Sequence, residues 1–91
     1  MRLIRTQVTI VNKLGLHARA AAKFVACTSA FSSRILAGKD DQLVDAKSIM
    51  SVMMLAAGQG TVLTIEVDGA DEDAALCALK TLIENRFDEH E

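Results

Sequence analysis

The 91-residue sequence contains no proline, tryptophan or tyrosine, and it has only three phenylalanines and two cysteines. Because aromatic rings are so few, there are almost no platforms on which nucleic-acid bases could stack. A formal net charge of −2 also gives no general attraction for a phosphate backbone. No apolar run is long enough to span a bilayer. We therefore expect a protein that binds neither nucleic acid nor membrane.

The N-terminal segment, residues 1–6, alternates charged and apolar residues and lacks the apolar core of a signal peptide, so we expect a cytoplasmic protein. Cys27 and Cys77 are too far apart in sequence to form a CxxC motif, and we expect both to be reduced and buried. His90 lies in an acidic segment, residues 88–91, that we expect to be solvated. No spacing of ligands indicates a metal site, and no nucleotide-binding loop is present, so we expect neither a metal nor a cofactor.

Hydrophobic periodicity predicts seven elements in a single domain that covers residues 1–91. They are a strand over 4–10, a helix over 16–29, strands over 31–37 and 42–45, a helix over 48–57, a strand over 61–67 and a helix over 70–86. We expect turns at 12–15 and 38–41, and we expect Gly58 to end the second helix. The order βαββαβα indicates an α+β domain with two layers, an antiparallel sheet covered by helices on one face.

The clearest chemical signal lies in residues 12–25, NKLGLHARAAAKFV, where one histidine stands at a predicted transition from turn to helix. The first turn of a helix has N–H groups without intrahelical partners and carries partial positive charge, so it favours an anion. Arg19 lies in that turn, and a guanidinium can bind phosphate oxygens as a fork. The same positive field disfavours the imidazolium form of His17, which leaves one ring nitrogen free to attack. The pattern is compatible with a phosphate-handling histidine, although a lone histidine is more often an ordinary surface or core residue.

Residues 15–25 resemble the active-site motif of the HPr family of histidine phosphocarriers. Residues 45–55, DAKSIMSVMML, resemble the regulatory serine and second helix of that family, and residues 58–61 resemble its turn into the last strand. The resemblance covers essentially the whole chain. It is closest to the nitrogen-related branch, often called NPr, because of the methionine-rich second helix and the ending LIENRFDE over residues 82–89. Many members have proline where this chain has Ala20; alanine also suits a helix, so we expect altered rigidity and a working site.

The resemblance implies an open-faced β-sandwich, with four antiparallel strands in the order 1-4-2-3 and three helices on one face. It also implies that His17 accepts a phosphoryl group on Nδ1 from phospho-enzyme I and passes it to a histidine of an EIIA-type protein. The N–H groups of Ala18 and Arg19, and the Arg19 side chain, would stabilise the phosphoryl group. For the nitrogen branch the acceptor would be the nitrogen-related EIIA and the output would be regulatory. A monomer suits a protein that docks with two partners in turn.

Two interpretations of Ser48 remain open. Serine is a favoured N-cap residue, and the residues alone favour that role. The resemblance places the family's regulatory serine at this position, beside Lys47, and an HPr kinase would be needed to phosphorylate it. The resulting negative charge would alter a docking surface.

The predicted second helix is too short to bury all of its apolar residues. We expect some of them to be exposed beside His17 as an apolar docking patch. The candidate docking residues are Leu16, Lys47, Met50, Met53 and Met54.

A phosphocarrier is therefore the leading hypothesis. The alternative is a non-catalytic regulatory binding module that is switched by phosphorylation at Ser48, although the presence of His17 argues against that as the sole role. A self-contained enzyme is disfavoured because the sequence has no paired carboxylates, nucleophilic triad or metal-ligand set.

Overall fold

The structure is a computed structural model that describes residues 3–91; the first two residues of the N-terminal segment considered above lie outside it. The elements are β1 (Leu3–Thr9), α1 (Ala18–Ser29), β2 (Arg34–Lys39), β3 (Gln42–Asp45), α2 (Ile49–Met54), β4 (Val62–Asp68), α3 (Glu72–Glu84) and a C-terminal turn (Arg86–Asp88). The predicted order βαββαβα is confirmed. None of the helices in residues 3–91 is long and apolar enough to cross a membrane.

The four strands form one antiparallel sheet in the order β1-β4-β2-β3, as the family resemblance implied. The register of the pair β1–β4 runs from Leu3 opposite Asp68 to Thr9 opposite Val62. Alternation along β4 buries Leu63, Ile65 and Val67 and leaves the residues between them more exposed. This period of two is why the sequence pattern located the strand correctly.

The core lies between one face of the sheet and the helices. Its largest fully buried apolar side chains come from the strands, the helices, the residue after β1 and the C-terminal turn: Ile10, Phe24, Ile35, Val52, Leu63, Ile65, Val67, Leu79, Ile83 and Phe87. Burying a side chain of this size contributes roughly 1.5–3 kcal/mol. Phe24 therefore anchors the helix that follows His17, and Phe87 anchors the C-terminal segment.

The β2–β3 hairpin is tighter than predicted. Gly38 and Lys39 belong to the strand, and the turn consists of Asp40 and Asp41, whose φ angles are 53° and 69°. Two successive left-handed residues match the twist of a hairpin, and aspartate tolerates that conformation better than most residues. β2 also begins at Arg34 rather than at residue 31. The residues just before it instead donate backbone hydrogen bonds to Asp71, from Ser32 N over 2.8 Å and from Ser33 N over 2.9 Å.

The predicted ends of α2 and α3 were wrong. α2 ends at Met54, and the chain turns at Ala56, which has a φ of 52°, so Gly58 does not terminate the helix. α3 ends at Glu84 because residues 86–88 all have positive φ, at 57°, 53° and 64°. This left-handed turn directs Phe87 back into the core. A favourable buried contact thus offsets backbone conformations that cost about 1–2 kcal/mol per residue.

The two cysteines are free thiols on α1 and α3. The prediction that both are buried was wrong for Cys77, which is exposed. Cys27 is partly buried, and that burial raises the pKa of its thiol. Cys77 lies on the outer side of α3, away from the stripe formed by Ala75, Leu79 and Ile83 that packs into the core.

Candidate functional site

His17 is the N-cap residue of α1, with extended backbone at φ −76° and ψ 178°. The predicted helix start at Leu16 was therefore two residues too early. The N–H of Leu16 donates to the carbonyl of Ala57 over 2.8 Å, which holds the backbone just before His17 outside the helix. Gly15, with a φ of 69°, makes the turn that leads into this arrangement.

The first N–H groups of α1 have no intrahelical acceptor, and the His17 side chain does not cap them. Ala18 and Arg19, the first two helical residues, are both exposed. Among residues 3–91, the Arg19 side chain makes no hydrogen bond or ion pair, and its charge acts on Glu89 only through space, so its guanidinium is available to an external anion. The structure thus places His17, Ala18 and Arg19 together at a helix end that favours negative charge.

The imidazole of His17 is 28% exposed and contacts the carboxylate of Glu89 through Nε2. Glu89 is 72 residues away in sequence, and its side chain is only 14% exposed. The prediction that the acidic segment 88–91 is solvated was therefore wrong for Glu89, although it was right for His90, which is exposed. The cause is the left-handed turn at 86–88, which brings the C-terminus across the N-terminal end of α1.

The second oxygen of Glu89 accepts a hydrogen bond of 2.9 Å from Asn12 Nδ2. That bond is the main reason why the pKa of Glu89 lies below its usual value; the hydrogen bond and charge of His17 and the charge of Arg19 lower it further. Glu89 is thus a carboxylate at neutral pH. It provides a fixed negative charge beside the ring.

An open depression surrounds His17, and charges of both signs line it. The basic residues are Lys13, Arg19 and Lys23, and the acidic residues are Asp88, Glu89 and Glu91. Within this set, Lys23 Nζ lies 3.6 Å from a carboxylate oxygen of Asp88, and Lys13 Nζ lies 3.4 Å from one of Glu91. Two of the basic residues are therefore paired with the C-terminal segment.

The predicted docking residues are found in three different environments. Leu16 is 6% exposed and belongs to the core, so its assignment to the surface was wrong; it packs inward because its backbone is tied to Ala57. Met50 and Met54 are 67% and 80% exposed, and Met53 is also on the surface. The Nζ of Lys47 donates to the carbonyl of Phe31 over 2.7 Å, which holds that side chain against the end of α1.

Ser48 is the N-cap residue of α2, and its Oγ accepts a hydrogen bond from Ser51 N over 3.3 Å. This contact gives Ser48 a structural role that does not depend on modification. The side chain is partly exposed, at the start of the helix that carries the exposed methionines.

Sequence reasoning missed Asn12, Leu14 and Glu89. Leu14 is an exposed apolar residue on the lining of the depression around His17. Nothing in the local pattern indicates that Asn12 and Glu89 meet, because they are 77 residues apart. The only indication in the sequence is that a short, mainly polar segment follows the apolar stripe of the last helix. This segment has no helix or strand periodicity, so its position could not be predicted.

A family model described as "PTS HPr component phosphorylation site" matches residues 4–85 of the chain. The chain is 56% identical to the phosphocarrier protein HPr of Pseudomonas aeruginosa over 86 residues, which cover 93% of this chain and 96% of the relative.

Solved structures agree with the sequence comparison. The crystal structure of HPr-C-His from Thermoanaerobacter tengcongensis superposes with a TM-score of 0.93 at 46% identity, covering 97% of this chain and 99% of that chain. A second structure, an HPr dimer from the same organism, gives a TM-score of 0.77 at 50% identity and covers 90% and 94% of the two chains. With the fold, the helix end at His17 and these matches in agreement, the chain belongs to the HPr family of phosphocarrier proteins of the phosphotransferase system.

Proposed function

We propose that His17 is the residue that carries the phosphoryl group, and that Arg19 and the N–H groups of Ala18 and Arg19 stabilise it. The observation that carries the proposal is the position of His17 at the N-terminus of α1, two residues before Arg19, whose guanidinium has no hydrogen bond or ion pair within residues 3–91. Phosphoryl transfer depends mainly on positioning and on charge stabilisation, which this helix end supplies.

The transfer would be a direct displacement between two imidazoles. The lone pair of His17 Nδ1 attacks the phosphorus of a phosphohistidine on the donor, and the new N–P bond forms. The donor N–P bond breaks, and its electron pair remains on the donor ring nitrogen. His17 keeps the proton on Nε2, so its ring gains the positive charge that the donor ring loses. In the next step, an acceptor histidine removes the phosphoryl group by the same displacement.

The proposed donor is phospho-enzyme I, and the proposed acceptor is a histidine of an EIIA-type protein. Both partners must reach the same ring, and the open depression with the exposed Leu14 at its lining suits contact with a protein surface. We further propose that Met50, Met53 and Met54 form part of the docking surface. A cytoplasmic monomer, comprising a single domain, is the form that would serve two partners in turn.

Within the family, we propose the nitrogen-related branch, with a regulatory output. The support is the resemblance of residues 82–89 and of the methionine-rich α2 to that branch. Transfer rates from the phosphorylated chain to a nitrogen-related EIIA and to a sugar-type EIIA would test this proposal. Faster transfer to the sugar-type acceptor would contradict it.

Phosphorylation of the purified chain by phosphoenolpyruvate, Mg²⁺ and enzyme I tests the carrier function, with intact mass as the readout. We expect one acid-labile phosphoryl adduct on the wild type and none on His17→Ala. His90→Ala is the matched control, because His90 is the second of the two histidines and should leave the adduct unchanged. An adduct on His17→Ala, or none on the wild type with an active donor, would refute the assignment.

Ser48 remains a proposed target of an HPr kinase. The alternative of a pure binding module switched at Ser48 receives less support, because His17 lies at a helix end that favours an anion. Treatment with an HPr kinase and ATP, followed by peptide mapping, would show whether Ser48 accepts phosphate.

A further inference from the structure

The C-terminal residues 87–91 form a strap across the site of His17. Its base is the fully buried side chain of Phe87, whose carbonyl accepts a hydrogen bond of 2.8 Å from Lys23 Nζ. Its far end is tied by the carbonyl of Glu91, which accepts a hydrogen bond of 2.6 Å from the N–H of Lys13. The segment between these ties includes Glu89, which contacts the His17 ring. The strap is therefore fixed on both sides of that contact.

Asn12 orients the carboxylate of Glu89. The Asn12 side chain is fully buried, and its Nδ2 donates both to the Gly15 carbonyl and to Glu89, each over 2.9 Å. Within residues 3–91, its Oδ1 is buried without a hydrogen-bond partner. The amide is therefore held by its two donor bonds. One joins it to the turn before His17, and the other joins it to the strap.

We propose that Glu89 is a positioning residue for His17: its carboxylate, oriented by Asn12, accepts the Nε2–H of the imidazole and so leaves Nδ1 as the attacking nitrogen. This inference rests on the proposed function of His17. It adds the reason why one ring nitrogen, and not the other, receives the phosphoryl group.

The chemistry follows from the donor and acceptor inventory of the two side chains. A neutral imidazole has one N–H and one lone pair, and an ionised carboxylate only accepts hydrogen bonds. Contact with Glu89 therefore places the proton on Nε2 and the lone pair on Nδ1. Among residues 3–91, the structure shows no hydrogen bond to Nδ1, so that nitrogen is free to approach a donor.

The carboxylate also acts during transfer. As the N–P bond forms at Nδ1, the ring becomes a phosphorylated imidazolium that keeps its Nε2–H, and the negative charge of Glu89 offsets the new positive charge. The other charged or titratable groups around the ring are Lys13, Arg19, Lys23, Asp88, His90 and Glu91. Of these, Lys13 is paired with Glu91, and Lys23 is paired with Asp88. Glu89, which contacts Nε2, and Arg19, in the first turn of α1, are therefore the groups that mainly determine the charge next to the His17 ring.

The test compares Glu89→Gln with Glu91→Gln, a matched control on the same strap that removes the charge paired with Lys13 and not the charge beside His17. The ¹⁵N chemical shifts of the His17 ring report its tautomer without any partner protein. We expect the wild type and Glu91→Gln to be predominantly the Nε2–H form. Glu89→Gln should give a mixture of tautomers, and Glu89→Asp should restore part of the wild-type preference.

The kinetic readout is phosphoryl transfer from phospho-enzyme I. In a serine protease triad, loss of the orienting carboxylate lowers kcat about 10⁴-fold. Because the present site is open to water, we expect a smaller effect, a fall in kcat of about tenfold in Glu89→Gln with little change in KM. A fall in Glu91→Gln of equal size would show that the strap acts through its general charge and would overturn the proposal.

An unchanged tautomer in both Glu89→Gln and Glu89→Ala would overturn the proposal whatever the rate. The two failures are distinguishable: a wild type that accepts no phosphoryl group refutes the carrier function of His17, whereas the ¹⁵N measurement judges the role of Glu89 independently.

Discussion

The N–H of Leu16 donates to the carbonyl of Ala57 over 2.8 Å, joining the loop before α1 to the loop after α2. This bond brings the backbone of Gly15 against Ala57 and Gly58. A Cβ atom built on Gly15 would lie 2.5 Å from the Ala57 oxygen and 2.7 Å from the Gly58 Cα. The position of His17 at the helix end therefore depends on a residue without a side chain two positions earlier.

Gly15→Ala should lower the free energy of unfolding by about 2–4 kcal/mol, because alanine would add left-handed backbone strain to a clash with the opposing backbone. The measurement is urea denaturation followed by circular dichroism. Gly58→Ala is the control: a Cβ there meets nothing within 4 Å, so we expect a change below about 1 kcal/mol. Equal losses in the two variants would contradict this account of the loop.

Ser48 can be tested separately as a cap and as a regulatory site. Ser48→Ala removes the acceptor for Ser51 N and should cost about 1 kcal/mol of stability. Aspartate is also a good N-cap, so Ser48→Asp should keep the stability within a few tenths of a kcal/mol. If the site is regulatory, Ser48→Asp should weaken binding to enzyme I in calorimetry. Gln7→Glu, which adds the same charge on exposed β1, should not.

Asp71 should make stability depend on pH in the acid range. Hydrogen bonds from the Ser33 hydroxyl and from the backbone N–H groups of Ser32 and Ser33 lower its pKa from 3.8 to about 2. Since the folded state has the lower pKa, this stabilisation is complete above pH 3.8 and is lost as the pH falls through about 2. Asp71→Asn should therefore lower Tm at neutral pH, with the difference from wild type shrinking towards zero near pH 2.

Thermal unfolding at a series of pH values gives this comparison. In the Asp71→Asn background, the further change Ser33→Ala should have less effect than it has alone, because the two side chains share one hydrogen bond. A Tm difference that stays constant over the whole acid range would show that the carboxylate charge is not the cause.

The exposed methionines of α2 give the prediction for docking. Met54→Lys should weaken the binding of enzyme I by about 5- to 30-fold, because a charge would replace an apolar side chain at a partner contact. Met54 is 80% exposed, so its loss should leave the fold intact. Val62→Lys, at an exposed apolar position on β4, is the matched control and should bind normally. Normal binding by Met54→Lys would remove this residue from the proposed docking surface.

Prediction from sequence located all four strands, and β1 and β4 show the regular alternation of exposure on which it depends. The strand Gln42–Asp45 has the predicted bounds, and β1, β2 and β4 are each displaced by only one to three residues at their ends. The errors fall at the ends of elements, where a distant partner decides the conformation. Residues 31–33 are not in the strand because Asp71 binds Ser32 and Ser33, and Leu16 is not in the helix because Ala57 holds its N–H.

The sequence by itself determined the order of elements, the stripes that form the core, and the placement of His17 and Arg19 beside a helix N-terminus. These features depend on local periodicity and on residues that are neighbours in the sequence, and both are visible in the sequence itself. Only the tertiary structure decided that Leu16 is buried, that Glu89 contacts His17 and that Asn12 orients Glu89. The contacts of Glu89 with His17 and Asn12 join residues from opposite ends of the chain. They form because a left-handed turn at residues 86–88, stabilised by the burial of Phe87, returns the C-terminus to the start of α1.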